Sequence, residues 1–268
     1  MGGADFVPGI SGGTVALMLG IYERWVFALG DIDLSLFVDL LRRRNQAAKQ
    51  KFFLVPFGFL LPLGLGLMLA PFAVSHGVAF LLGRHAAFTY AFFMGLIVAT
   101  SILIFKRIGT FNWQTWAVLV LGAALGYGLT GFSGAAALPH SKPFFVIYGS
   151  LAICAMVLPG ISGAFILYLL GQYEVMVQAV QHVDLEVMGL FGLGAVLGIL
   201  SFVRGVAWLL KKFPGLTMAG LTGLMLGALR LPLLHISQHG FNQGWPVFGL
   251  VGGMGLVWGA TFIFRPRP

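Results

Sequence analysis

The sequence predicts an all-α, multi-pass integral membrane protein made of two inverted repeats. Each repeat is expected to be a re-entrant broken-helix hairpin followed by three transmembrane helices. Composition, the length of the apolar runs and a motif written twice lead to this reading. Hydrophobic residues make up 59% of the chain and charged residues only 9%, with a mean hydropathy of +0.95. No ordinary soluble domain has that balance. The apolar runs 52–75, 86–105, 115–131, 188–210, 215–234 and 245–264 each approach the ~20 residues a helix needs to cross ~30 Å of hydrocarbon. They lack the alternation of a transmembrane barrel, so they are read as helices.

The repeated motif is Pro8-Gly9-Ile10-Ser11-Gly12-Gly13, continuing to Leu19-Gly20-Ile21-Tyr22-Glu23. It returns 151 positions later as Pro159-Gly160-Ile161-Ser162-Gly163-Ala164, continuing to Leu170-Gly171-Gln172-Tyr173-Glu174. Further matches support two halves: Thr89 and Gly95-Leu96 pair with Thr217 and Gly223-Leu224, and Trp116 and Gly126 pair with Trp245 and Gly255. Repeated, interrupted apolar segments are the sequence mark of secondary transporters. The halves are assigned to 1–131 and 144–264 within a single transmembrane domain. Only Met1–Val7 precede the first Pro-Gly break, against Phe144–Leu158 before the second. The repeat therefore predicts a further apolar stretch upstream of Met1.

Basic residues set the topology. Arg42–Arg44, Lys49, Lys51, Lys106, Arg107, Lys211, Lys212, Arg265 and Arg267 all flank apolar spans rather than covering a polar face. The net charge of +8 is thus a mark of cytoplasmic loops, and a nucleic-acid partner is excluded. With the 42–51 loop inside, His76–His85 and Phe132–Pro143 fall outside and Lys106-Arg107 inside. The 144–180 segment is too long for one crossing, and Pro159 divides it. If it dips in and returns, Lys211-Lys212 and the C-terminus lie in the cytoplasm. Three spans per half then insert the second half upside down relative to the first. Leu36, Phe37, Leu40 and Leu41 form one apolar face before the arginines and are expected to lie along the inner surface.

The motif has a chemistry of its own. Proline lacks an N–H and clashes with the preceding turn, and glycine favours leaving the helix. Ser11 and Ser162 are natural N-caps for the half-helices that restart there. The amides of Gly12, Gly13 and Thr14, and of Gly163, Ala164 and Phe165, would then face the membrane interior. Helix N-termini carry about half a positive charge and bind anions. Two tips converging from opposite leaflets would make an anion site reachable alternately from each side. A tight kink for packing is the plainer reading of the same residues. Arg230 and Arg204 lie inside apolar runs, where an arginine at the centre costs roughly 2.5–3.5 kcal/mol. They call either for an anionic partner or for snorkelling to a nearby interface. Glu23 and Glu174, each after a tyrosine, read equally as proton or cation carriers and as interfacial residues. Asp5 is a third candidate for protonation.

The remaining features are structural. Gly122/Gly126, Gly194/Gly198, Gly223/Gly227 and Gly255/Gly259 are small-residue pairs for close helix approach. The lone Cys154 and six histidines, placed in outer loops, show no ligand spacing, so no metal and no cofactor are expected. No nucleophile stands beside an acid or metal cluster, and the chain is read as a non-enzyme. Homodimerisation and coupling to protons or sodium are compatible with the sequence.

The run Ala4-Asp5-Phe6-Val7-Pro8-Gly9-Ile10-Ser11-Gly12-Gly13-Thr14, continuing through Gly20-Ile21-Tyr22-Glu23-Arg24, resembles the bacterial polyprenyl-phosphate transporter family. The likeness extends over essentially the whole chain. It implies a flippase that returns undecaprenyl phosphate across the cytoplasmic membrane so that the lipid carrier is reused in cell-wall synthesis. The head would then bind between the tips, with Ser11 and Ser162 donating and Arg230 neutralising. A transporter or channel for a small soluble anion would use the same tips.

Overall fold

The computed structural model describes residues 1–2, 11–33, 35, 39, 42, 44–131, 141–239 and 245–263. Pro8–Ile10 and Asp5, the apolar face at Leu36, Phe37, Leu40 and Leu41, and Arg265 and Arg267 lie outside them. The described residues fold into α1 (Gly12–Met18), α2 (Tyr22–Gly30), α3 (Asn45–Leu54), α4 (Phe57–Arg84), α5 (Ala86–Phe105), α6 (Trp113–Leu129) and α7 (Phe144–Val157). There follow α8 (Gly163–Leu169), α9 (Tyr173–Gln181), α10 (Leu185–Lys212), α11 (Pro214–Ala228), α12 (Arg230–His239) and α13 (Trp245–Ile263). Helix throughout is what hydrocarbon demands, because each backbone amide must find its partner within its own segment. Among the described residues, four stretches are long and apolar enough to cross a membrane: α5, α10, residues 214–238 and residues 245–262. α6, α7 and the first part of α4 are apolar but shorter.

Two expected boundaries move. The 52–75 span is in fact two pieces: α3 ends at Leu54, and α4 runs on through the expected outer loop to Arg84. Pro56 forces Val55 into an extended conformation (ψ 127°), which separates the two helices. Downstream, Ser75-His76 is a short polar pair among apolar residues, Val78 is buried, and the helix runs on to Arg84. His76, His235 and His239 are helical rather than in loops. The 215–234 span is interrupted only at Leu229, the one residue between α11 and α12, and 214–238 still forms a single apolar stretch; Arg230 is the first residue of α12. Pro232 explains this, since it cannot donate to the Ala228 carbonyl and crowds it.

Local geometry repeats between the halves. Gly20 and Gly171 both take positive φ (69° and 67°), and the Ile21 and Gln172 amides reach back to Ala16 and Leu167 at 2.9 and 2.8 Å. His85 (φ −135°, ψ 46°) and Phe213 (φ −134°, ψ 60°), 128 positions apart, end α4 and α10, both 28 residues long. Their carbonyls accept the hydroxyls of Thr89 and Thr217 at the same 2.8 Å.

The halves also exchange partners. α5 packs along α13 and α6 along α11, while α7 packs along α10. Backbones touch at these seams: a methyl group on Gly223 would stand 2.0 Å from the Leu119 carbonyl oxygen, and one on Gly194 1.9 Å from that of Val146. Gly122, Gly126, Gly198 and Gly227 are equally close to a neighbouring helix. Gly255 and Gly259 are not; α13 meets α5 through Gly249 and Gly253 instead. Polar ties fasten the ends. Lys211 pairs with Asp31 at 2.9 Å, Lys51 with Asp39 at 2.6 Å, and Arg24 lies 4.3 Å over the Phe59 ring.

Candidate functional site

The second Pro-Gly motif breaks its helix completely. α7 stops at Val157, Leu158 is extended, Gly160 takes φ +88°, and Ser162 is extended before α8 begins. α8 then folds back along α7. A methyl group on Gly163 would stand 2.8 Å from the Ala152 carbonyl oxygen, and Leu167 shares a buried cluster with Phe145, Tyr148 and Ala152. After Gly171 the chain bends by 114° into α9, whose Ala179 joins Phe145 and Val187 in that cluster. Ala179, near the end of the segment, thus packs beside Phe145, near its start. In the first copy Ser11 is extended (φ −124°, ψ 157°) and caps α1, accepting the Thr14 amide at 3.4 Å.

The two breaks meet. The Ser11 hydroxyl donates to the Leu158 carbonyl at 3.0 Å, and the Gly160 amide donates to Ser11 Oγ at 3.2 Å and to Thr14 Oγ1 at 3.0 Å. Gly13 leaves room for this approach, since a methyl group there would lie 2.8 Å from the Val157 carbonyl oxygen. Ser11, Thr14 and Ser162 are 0%, 2% and 3% exposed. Proline at 159 frees the carbonyls of the last turn of α7, and a buried free carbonyl is costly unless bonded. Ser11 supplies that bond across 147 residues of sequence. Its hydroxyl has one hydrogen and two lone pairs, and all three are used. It is thus a clasp between the hairpins and not an idle donor.

The second tip differs. Ser162 caps α8 without a side-chain hydrogen bond, Gly163 is buried and Ala164 is exposed. The asymmetry begins where the copies diverge, with Gly13-Thr14 against Ala164-Phe165. Thr14 as a partner of Gly160 is the contact that reading the repeat did not foresee. That divergence in an otherwise matched motif was its only signal.

The arginines separate. Arg230 donates to the Tyr127 carbonyl at 3.2 Å and stacks 4.3 Å over the Tyr127 ring. It stands two residues beyond Ala228, the last residue of α11, whose Cβ lies 3.1 Å from where a methyl group on Gly160 would stand, so α11 borders the second break and Arg230 opens the helix after it. Arg204 donates to the carbonyls of Leu200 (2.8 Å) and of Ile32, beside the end of α2. Glu23 and Glu174 are exposed in the first turns of α2 and α9, where a carboxylate favours the helix start. They are not part of the clasp. Among the described residues no cluster of His, Cys, Asp or Glu could hold a metal ion.

Two apolar clefts flank the clasp. One of about 240 Å³ is lined by Gly12, Gly13, Leu63, Leu67, Met156 and Val157. The other, about 530 Å³, is lined by Cys154, Leu158, Ser201, Phe202, Gly205 and Leu221.

Long apolar helices packed through glycine seams, with broken-helix segments meeting inside, define a multi-pass integral membrane protein of the kind in which broken helices build binding sites. The chain belongs to the undecaprenyl phosphate translocase-like family, whose model matches residues 1–240. It is 36% identical over 232 residues to a polyprenyl-phosphate transporter of Vibrio cholerae, covering 85% of this chain and 73% of that protein. It is 29% identical over 246 residues to a polyprenyl-phosphate transporter of Staphylococcus aureus, covering 85% and 81%. No solved structure matches it significantly.

Proposed function

We propose that this protein transports polyprenyl phosphate across the bacterial cytoplasmic membrane as a flippase, binding the anionic head between the two tips. The single observation that supports this most is the buried clasp joining Ser11 and Thr14 to Leu158 and Gly160, flanked by apolar clefts. When the clasp parts, the hydroxyls of Ser11 and Thr14 and the Gly160 amide become donors for a phosphate, with the amides of Gly12, Gly13, Gly163 and Ala164 and the Ser162 hydroxyl around them. Arg230, two residues past the end of the helix that borders the second break, neutralises the head, and Arg204 fastens the end of α2 while a tail lies in an apolar cleft. Residues 1–131 and 144–264 form inverted repeats that rock against each other, with the C-terminus in the cytoplasm. Glu23, Glu174 and Asp5 are the carboxylates available for coupling to a proton or sodium gradient.

The test is sidedness-resolved movement of a labelled polyprenyl phosphate in reconstituted vesicles, with and without a pH gradient. Movement that a lipid phosphate competes for, and a water-soluble anion does not, is the expected result. Competition by the soluble anion alone would assign the tips to a small-anion transporter. Replacing Ser11 and Ser162 together by leucine should abolish head binding, and undiminished transport would reject their role.

A further inference from the structure

The wider of the two clefts beside the clasp has a second end. Its walls are Cys154 on α7 and Leu158 just past it, Phe202, Gly205 and Leu209 on α10, and Leu221 on α11. Leu158 is shared with the clasp, where its carbonyl accepts from Ser11. In the other direction the α10 wall continues from Leu209 to Lys212, since residues three and four apart share a helix face. From Ser201 to Lys212 the helix rises about 16 Å at 1.5 Å per residue. Lys212 is exposed, with Nζ 5.1 Å from the centre of the Trp208 ring and 5.4 Å from that of Phe213. Its neighbour Lys211 is paired with Asp31, whereas no carboxylate lies within 4.0 Å of Lys212 among the described residues. α11 starts beside it at Pro214 without a side-chain cap, so the first amides of that helix are open to an acceptor at the same surface.

Walls and end together restrict the occupant. The hydroxyls that line the cleft are spent: Ser201 donates to the Leu197 and Gly198 carbonyls at 2.7 and 3.1 Å, and Thr217 to that of Phe213 at 2.8 Å. A sugar or peptide would leave its polar groups unbonded there, whereas a hydrocarbon chain has none to lose. At about 530 Å³ the cleft falls within the ~300–1,000 Å³ of ligand sites, and the narrower one, about 240 Å³, falls below it. Gly205 keeps the space open, since a methyl group there would meet no atom within 4 Å. Lipid is as apolar as the walls, so a chain gains little by entering and its head must hold it. An unpaired ammonium beside an open helix start is the charge complement of a phosphate. We propose that the cleft is a loading site for prenyl phosphate, with the head at Lys212 and the first isoprene units running past Leu209 and Gly205 towards Leu158. Occupancy places the substrate alongside the clasp before the clasp opens. The choice of a prenyl lipid as occupant rests on the function proposed above.

The test is photolabelling of the purified full chain in phosphatidylcholine nanodiscs by a prenyl phosphate carrying a diazirine on its second isoprene unit. Movement of prenyl phosphate in vesicles is measured alongside. Label is expected on residues 201–209 and on Leu221. G205F, which puts a ring into open space, should lower that label about tenfold. G64F does the same in the narrower cleft and should leave the label unchanged. K212Q, which alters only an exposed side chain, should weaken binding about tenfold by removing a charged donor. The matching prenol, which lacks the phosphate, should compete about tenfold more weakly than the prenyl phosphate. Label lining the narrower cleft, equal competition by the prenol, or label undiminished in both G205F and K212Q overturns the proposal. Label in the wider cleft that K212Q loses, with no movement of prenyl phosphate in vesicles, keeps the site and rejects the transport reading. Movement by wild type, G205F and K212Q alike, with label elsewhere, rejects the site alone.

Discussion

The Gly160 amide has two acceptors, Thr14 Oγ1 at 3.0 Å and Ser11 Oγ at 3.2 Å, and this redundancy makes the clasp testable. Ser11→Ala strips the Leu158 carbonyl and removes the α1 cap. A lost cap costs about 1 kcal/mol and a stranded, partly buried carbonyl about 1 kcal/mol, the low end for such a group. A total near 2 kcal/mol is expected, because Gly160 keeps Thr14. Thr14→Val preserves shape and leaves Gly160 bonded to Ser11, at about 1 kcal/mol. Only the double variant strands the Gly160 amide, so its cost should exceed the sum of the singles by about 1 kcal/mol or more. The direct contact between the two hydroxyls works the other way, but at 3.5 Å it is at the limit of a hydrogen bond and offsets only about a few tenths. Unfolding in mixed micelles, followed by tryptophan fluorescence, would measure the cycle; Trp25, on α2 just beyond α1, is 7% exposed. Independent sites add to within about 0.3–0.5 kcal/mol. An additive or sub-additive double variant would refute the shared role of Ser11 and Thr14.

Gly194→Ala should lower thermal stability by about 2 kcal/mol, because the added methyl meets the Val146 carbonyl oxygen at 1.9 Å; Gly192→Ala, with open space around it, should change stability by less than about 1 kcal/mol in detergent melts. Arg230→Gln should cost about 1 kcal/mol through loss of the stack on Tyr127, and Arg230→Lys should recover part of it in the same melts. The Asp33–Lys51–Asp39 group outside the membrane should hold α3 across neutral pH and release it at both extremes. Asp33 is held below the ordinary carboxylate range, first by the Ser35 hydroxyl and amide, so its tie persists above the ordinary value and is lost as pH falls through the lowered one. Lys51 is raised, first by its bond to Asp39, so its tie is present below the ordinary lysine value and lost as pH rises through the raised one. Anisotropy of a probe on α3 would follow both losses, and Asp39→Asn should remove the alkaline one.

Much of this was legible because proline and glycine act locally. Pro159-Gly160 announces a break wherever it falls, and the glycine pairs at 122/126, 194/198 and 223/227 announce close seams. What could not be read was which partner each seam takes. α13 offers Gly249, Gly252, Gly253, Gly255 and Gly259, and only the register against α5 selects Gly249 and Gly253. The length of α4 was hidden for a similar reason, since Ser75-His76 looks like a loop to a hydropathy window although two polar side chains do not stop a helix. Meeting of the tips followed from the repeat, whereas Ser11 being consumed by that meeting depends on the geometry of a free carbonyl. The sequence gives no hint of where Leu158 points.

An inverted repeat working by rocking should make, in its opposite state, the mirror images of contacts it now makes once. Here α2 packs on α10: a methyl group on Gly30 would stand 3.0 Å from Ala207 Cβ, Asp31 pairs with Lys211, and the Ile32 carbonyl takes Arg204. α9 makes no comparable packing on α4 among the described residues. Hairpin residues map between halves at 151 positions and the following helices at 128, so the mirror of Gly30 against Ala207 is Gln181 against Ala79. Cysteines at 30 and 207 should crosslink in the present state after a small opening of the seam, since their Cβ spacing of 3.0 Å is somewhat short of the ~3.8 Å of a disulfide. Cysteines at 181 and 79 should crosslink only when the other state is visited, and the two bonds should be mutually exclusive. Each should stop transport in vesicles, and reduction should restore it. If the 181–79 pair never forms while transport proceeds, the halves do not exchange conformations and rocking is not the mechanism. If both bonds form in one molecule, the α2–α10 seam is a fixed part of the scaffold rather than one of two alternative closures.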